Sequence, residues 1–204
     1  MKKRLIVIGG GAAGFFCAVN AARLNPALEV IILERSNKLL SKVKVSGGGR
    51  CNVTHACFSI AEMIKKYPRG SSFLKKAFHH FFTNDTIDWF KERGVVLKTE
   101  ADGRMFPVTN SSQTVIDCLV NEANKYKVEI RMNKEVKQLA ISNARPALQP
   151  FGRGQLAGNT TFELQFADDT ILQADHVCIA SGAYPKTIQY GWLKGSGHPI
   201  EEPV

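Results

Sequence analysis

An α/β fold with a parallel sheet is what this sequence predicts, and three observations predict it. Two continuous apolar runs, Arg4-Leu-Ile-Val-Ile-Gly9 and Glu29-Val-Ile-Ile-Leu-Glu34, have the character of strands buried on both faces. Between them, Ala12 to Leu24 has helical composition and stops at Asn25-Pro26. Further on, Glu135 to Ile141, Thr161 to Phe166 and Thr170 to Gln173 alternate apolar and polar residues, the pattern of an antiparallel meander with one wet face.

The first 34 residues therefore read as one strand–helix–strand unit joined by a glycine turn. A glycine-rich loop, Ser46 to Asn52, comes next and leads into a helical stretch. Ser72 to Phe82 and Asp85 to Arg93 have helical spacing, with Gly94 as a stop. Val95 to Thr99 and Arg104 to Phe106 form short strands around an Asp102-Gly103 turn. Ser112 to Tyr126 is a helix, with Ser111 or Ser112 as its cap, and Val128 to Met132 returns as a strand. Asp168-Asp169 makes the second turn of the meander. Residues 142–160, rich in Pro and Gly, read as a long exposed loop. His176 to Ala180 is a last buried strand, running into Ser181-Gly182.

Composition narrows the function classes. The 204 residues are 44% hydrophobic and 22% charged, which excludes a collagen or a wholly disordered chain. No apolar run approaches the ~20 residues of a membrane span, and the run after Met1-Lys-Lys-Arg4 is too short for a signal peptide. The chain reads as cytoplasmic. Five scattered cysteines argue against a disulfide framework, and Cys17, Cys118 and Cys178 sit in apolar runs as core residues. Cys51, His55 and Cys57 lack a second pair of zinc ligands, so no metal is expected. His79-His80 reads as part of a half-buried helix. The net charge of +9 raises the question of nucleic acid. No nucleic-acid-binding motif accompanies it, so neither a nucleic-acid nor a membrane partner is expected.

Three motifs carry chemistry. Gly9-x-Gly11-x-x-Gly14 follows a buried strand and opens a helix, the context in which this pattern cradles a dinucleotide pyrophosphate. Ala12, Ala13 and Gly14 then offer the N–H groups of the first helical turn. Glu34, 20 residues beyond Gly14, is placed to accept hydrogen bonds from ribose hydroxyls and to repel a 2′-phosphate. That favours FAD or NAD over NADP, although the adjacent Arg35 is a residue that accommodates a 2′-phosphate. The second motif is Ser46-Gly47-Gly48-Gly49-Arg50-Cys51-Asn52. Its glycines let backbone lie against a flat or charged ligand, Arg50 can neutralise a pyrophosphate, and Asn52 can donate and accept at a flavin edge. Cys51 reads as a cofactor-lining residue or a redox thiol, with no Cys-x-x-Cys to make a dithiol pair. The third motif is Ala180-Ser181-Gly182, a strand end that can bring a glycine turn near the first loop.

Together these strings resemble the bacterial NAD(P)/FAD-dependent oxidoreductases of the bile-acid-inducible flavoprotein type, also called aminoacetone-oxidase-like FAD-binding proteins. The resemblance rests on Gly9-Gly-Gly-Ala-Ala-Gly14, Glu34-Arg35, Ser46 to Asn52, Gly103-Arg-Met-Phe-Pro107 and Ala180-Ser-Gly182, and extends through Gly197-His198 and Pro203. It implies a glutathione-reductase-like FAD-binding Rossmann fold with a parallel sheet, an antiparallel β-meander and a helical insertion. Glu34 would hold the adenosine ribose, and Ala13 and Gly14 would approach the pyrophosphate. Gly48, Gly49, Arg50, Cys51 and Asn52 would line the flavin side. Val136 would meet the adenine through its backbone, and Ala180, Ser181 and Gly182 would close on FAD from the strand end. Ala183 departs from the family, where a second glycine is common at this place. Family members are about twice this length. Residues 1–204 are then the N-terminal portion of the FAD domain, with a helical/β insertion at about 55–110. The family's C-terminal substrate domain and final FAD segment lie outside them.

The expected function is a flavin-dependent oxidoreductase, or its FAD-binding part, passing a hydride or electrons through FAD to a small-molecule substrate. NAD(P)H is the candidate co-substrate, and no catalytic acid or base is assigned. The alternative is a non-catalytic dinucleotide-binding module or an inert truncated flavoprotein.

Overall fold

The computed structural model describes residues 2–142, 161–196 and 200. The chain forms two compact units, one of Met1–Leu40 with Glu122–Val204 and one of Ser41–Asn121.

The first unit is built on a four-stranded parallel sheet in the order β10-β1-β2-β6. Its strands are β1 (Arg4–Ile8), β2 (Glu29–Leu33), β6 (Glu129–Arg131) and β10 (His176–Ile179). All three pairings are parallel, with Val7 opposite both Ile32 and Cys178. In a strand alternate side chains take opposite faces, and here both faces of β1 and β2 are covered. Ile6, Ile8, Ile31 and Leu33 join a core with Leu139, Leu164 and Phe166 of the meander. On the other side lies helix α1 (Ala12–Leu24), which buries Phe15, Ala18, Val19 and Ala22, and Val7 comes within 3.4 Å of a Cβ built at Gly14. That double cover is why the two runs are uniformly apolar rather than alternating.

The meander is β7 (Val136–Ser142), β8 (Thr161–Phe166) and β9 (Ile171–Ala174), paired antiparallel in that order. Asp168 shapes the β8–β9 turn: its carboxylate accepts from the Thr170 hydroxyl at 2.5 Å, from Lys134 Nζ at 3.1 Å and from the Thr170 N–H at 3.2 Å, which hold it down at about 2. A 3₁₀ segment, Thr187–Ser196, closes this end and packs Leu193 and Trp192 on the core. It carries no strong periodicity and was not anticipated. Residues 143–160 of the expected loop, and Gly197, His198 and Pro203, lie outside the described residues. Ser142 ends β7.

The second unit contains α2 (Ser41–Gly49), β3 (Thr54–His55), α3 (Ile60–Ile64), α4 (Ser71–Phe78), α5 (Thr83–Lys91), β4 (Leu97–Thr99) and β5 (Arg104–Pro107). β5 is the central strand of an antiparallel sheet, β3-β5-β4, and buries Met105 and Phe106. The expected helix 72–82 breaks after Phe78 because the Asp85 carboxylate takes the Phe82 N–H at 2.7 Å and starts α5 there. Helix α6 (Ser112–Lys125) is capped by Ser111, whose Oγ accepts from the Gln113 N–H at 3.2 Å. Ser112 is buried and donates to the Lys44 carbonyl instead.

Three expectations are corrected. His176–Ile179 is not a fully buried strand: it is an edge of the sheet, and Ile179 stays 46% exposed. His79 and His80 are exposed beyond the end of α4. Cys17 and Cys178 are half-buried rather than core residues, unlike Cys118, because edge strand β10 leaves their side open. Their thiols are hydrogen-bonded to each other, which draws Cys178 down to about 7 and pushes Cys17 up.

Two outcomes follow from these contacts. A Cβ at Gly14 would run into the Gly9 carbonyl oxygen, whereas one at Gly11 meets nothing within 4 Å. Gly14→Ala will therefore lose about 1–3 kcal/mol in urea unfolding, while Gly11→Ala stays within about 0.5 kcal/mol of the parent. The thiolate is the reactive form, so alkylation of Cys178 will rise with pH around about 7. Cys17→Ala removes the stabilising hydrogen bond and will move that midpoint up toward the ordinary thiol value of about 8.5, read by mass spectrometry of labelled peptides.

Candidate functional site

The first glycine motif sits where β1 gives way to α1. Gly9 takes φ +116°, open to glycine and costly for other residues. Its N–H donates to Leu33 O at 2.8 Å, and a Cβ on it would strike the Ala180 carbonyl. Gly11 is the N-cap of α1, and no side chain caps the helix. The first backbone acceptance inside the helix is by Gly11 O from the Phe15 N–H, so the N–H groups of Ala12, Ala13 and Gly14 point out of the helix end. Ala12 and Ala13 are exposed there, and the space at the Gly11 Cα is open. Three donors, a positive helix end and open space beside a glycine fit a pyrophosphate.

Glu34 stands just past the end of β2. Its Oε2 accepts from the Gly10 N–H at 2.9 Å, and its Oε1 accepts from the Ser36 N–H at 2.9 Å and the Ser36 hydroxyl at 2.8 Å. A carboxylate has about four lone-pair sites. Three are committed to the loop, so one remains on Oε2 for a ligand hydroxyl. Glu34 thus couples the glycine turn to the ligand it would hold, a structural task the sequence reading did not see. The signal for it was Ser36, two residues on, a short polar residue suited to closing such a turn.

Gly9 and Glu34 line a cleft of about 190 Å³, whose walls also include Arg35, Lys134, Val136, Ser181 and Tyr184. The Arg35 guanidinium lies 5.3 Å from the Tyr184 ring centroid, and the Tyr184 N–H donates to the Tyr190 hydroxyl at 2.8 Å. Val136 is buried at the start of β7, beside a register shift between Val136 and Gln138. Ala180 extends β10, its N–H bonding to Ile8 O at 2.8 Å, and Gly182 turns the chain with φ +75°. The volume is below the roughly 300–1,000 Å³ of pockets that enclose a whole drug-sized ligand. It suits one end of a dinucleotide. The first unit therefore brings together Gly9, Gly11, Ala12, Ala13, Gly14, Glu34, Arg35, Val136, Ala180, Ser181 and Gly182. Tyr184 and Lys134 are cleft residues that the sequence did not single out, because no motif contains them.

The second motif belongs to the other unit. The chain leaves helical geometry at Ser46 (ψ 146°) and passes through positive φ at Gly47, Gly48, Gly49 and Cys51. Gly47 lets the loop lie on Phe106, since a Cβ there would be 2.7 Å from the ring. The Arg50 guanidinium stacks 4.0 Å from the same ring centroid and pairs with Glu100. Its charge is thereby committed to anchoring the loop on the β4–β5 hairpin. Gly48 and Asn52 are exposed. Cys51 is buried, which pushes its thiol up despite a hydrogen bond with Ser46, so it is a protonated thiol at neutral pH rather than a nucleophile. His55 Nε2 is 3.1 Å from the Asp102 carbonyl, and the Cys57 thiol donates to Ser59 O. Among the described residues no His, Cys, Asp and Glu side chains gather as a metal group, and no helix is long and apolar enough to cross a membrane.

The chain is 33% identical over 135 residues to ribosomal RNA dihydrouridine synthase of Escherichia coli (strain K12), a match covering 66% of this chain and 32% of that protein. It is 29% identical over 139 residues to 3-dehydro-bile acid delta(4,6)-reductase of Clostridium scindens, covering 68% and 33%. The match thus spans about a third of the length of these relatives. Among solved structures, Thermovibrio ammonificans THI4 shares the fold with a TM-score of 0.59 at 12% identity, over 97% of this chain and 63% of that one. Residues 3–203 match the HI0933-like protein Rossmann domain, and the chain belongs to that family.

Proposed function

We propose that this chain is the FAD-binding part of a flavin-dependent reductase that draws hydride from a reduced nicotinamide, NADH or NADPH. The observation that carries the reading is the uncapped N-terminus of α1, opening beside Glu34 and its cleft. The pyrophosphate is held by the N–H groups of Ala12, Ala13 and Gly14. The adenosine end lies in the cleft between Arg35, Val136 and Ser181, with Glu34 Oε2 accepting one ribose hydroxyl. Gly48 and Asn52 are the residues assigned to the flavin side, with Arg50 and Phe106 setting the shape of that loop. FAD supplies two-electron transfer when bound. The chain's own residues bind it, orient it and fix its charge environment. The two relatives' names share a chemistry, the saturation of a ring carbon–carbon double bond, which gives dihydrouridine in one and a reduced bile-acid ring in the other. That favours an electron-poor double bond conjugated to a carbonyl as the substrate class.

The test is retention of flavin colour after FAD is added and the excess removed. The parent chain will hold FAD, and a colourless folded chain would overturn the reading. Gly11→Ala, which keeps the fold, will weaken FAD because its Cβ occupies the space left for phosphate. Glu34→Gln will cost about 1.5–3 kcal/mol, a roughly ten- to hundredfold rise in Kd. Ser36→Ala removes only bonds internal to the loop, to Glu34 and Lys38, and serves as the control for loop distortion. Anaerobic NADH or NADPH will bleach the bound flavin, and failure of both would remove the nicotinamide from the proposal while leaving FAD.

A further inference from the structure

The first unit holds two cysteines, Cys17 and Cys178, and the fold puts them together. Cys178 stands opposite Val7 in the parallel pairing of β10 with β1, so the two side chains leave the sheet on the same face. That face is the one α1 covers, since Val7 lies 3.4 Å from a Cβ built at Gly14. Cys17 is three residues beyond Gly14 and shares its side of the helix. Strand register and helix period therefore aim both thiols into the seam between α1 and the edge strand. They meet there, the Cys17 thiol donating to the Cys178 sulfur.

A cysteine kept for packing is buried in apolar surroundings and inert. Cys17 and Cys178 are both half-buried, so a small oxidant reaches them. Among the described residues β10 is paired with β1 alone, so the edge strand can yield as the two sulfurs close to bonding distance. The bond from Cys17 holds Cys178 at about 7, with a large thiolate fraction at neutral pH, while Cys17 keeps its proton. One sulfur is thus the attacking nucleophile and the other its resolving thiol. Among the described residues no third His, Cys, Asp or Glu joins them, so the pair is not part of a zinc centre.

We propose that Cys17 and Cys178 are a dithiol–disulfide couple, oxidised by hydrogen peroxide. The Cys178 thiolate attacks one peroxide oxygen, the O–O bond breaks, and Cys178 becomes a sulfenic acid as hydroxide leaves. The Cys17 sulfur then attacks the Cys178 sulfur, the S–O bond breaks, and the departing hydroxide takes the Cys17 proton as water. In all, two thiols and one peroxide give one disulfide and two waters. The new bond ties α1, whose first turn presents the N–H groups of Ala12, Ala13 and Gly14, to the strand that runs into Ser181 of the cleft. The couple stands on the packing of the first unit and does not depend on FAD.

The experiment treats the reduced full chain with hydrogen peroxide at neutral pH, blocks the remaining thiols with iodoacetamide and digests without reductant. Mass spectrometry is expected to find the Cys17 peptide joined to the Cys178 peptide, lighter by two hydrogens than the two free thiols together. Two of the five thiols disappear and dithiothreitol restores them, while a non-reducing gel keeps the product at monomer mass. Cys57, half-buried in the other unit, is the internal comparison and stays open to alkylation. Cys17→Ser will stop the reaction at Cys178, where dimedone traps the sulfenic acid; in the parent chain that adduct gives way to the disulfide. Circular dichroism checks the fold of the variant, and the peptide map of the parent chain is decisive without it. The proposal is overturned if the two peptides are not joined, if they are joined only between chains, or if Cys57 is oxidised as fast as Cys178.

Discussion

The seat of α1 on the turn after β1 is the constraint on which the first unit depends. Gly14 has no side chain, so the helix approaches until its backbone meets the Gly9 carbonyl. The turn beneath it is fixed from three sides. Gly9 N–H bonds to β2 at Leu33, Ala180 N–H bonds to β1 at Ile8, and Leu40 N–H bonds to Gly10 O. Moving the helix by the width of one methyl group would disturb all three. The direction of the helix end, and with it the position of its orphan donors, is thus inherited from sheet pairing.

Glu34 extends the same logic to electrostatics. Its carboxylate bonds to Gly10 and Ser36, so the negative charge is held in one place rather than sampled by a free rotamer. A ligand hydroxyl that meets it finds an acceptor whose ordering cost was met on folding. The loop of the second unit is treated likewise. Arg50 is locked between Glu100 and Phe106, and the backbone beyond it is shaped by that clamp.

Much of this was legible in the sequence because the relevant rules are local. The apolar runs 4–9 and 29–34 could only be doubly covered strands, and the glycine spacing placed the helix start at Ala12, where it is. The alternation in 135–141 and 161–166 gave the meander for the same reason. What escaped was set by tertiary contact. No local rule told that β10, as apolar as β1, would be an edge, or that Cys17 and Cys178 would meet across a helix and a strand. The break after Phe78 depended on a carboxylate seven residues away. Tyr184 and Lys134 reach the cleft only because the 3₁₀ segment and the meander bring them there.

The edge position of β10 has a further consequence for how copies of the chain treat one another. Among the described residues, nothing pairs with its outer flank, and Ile179 is exposed there. Such a flank is a template for another strand, and it carries no lysine, proline or bulge to blunt it. A net charge of +9 opposes the approach of two such templates. That repulsion reaches only about 8 Å at physiological ionic strength. Approach of two such flanks is therefore tied to the ionic medium as well as to the fold.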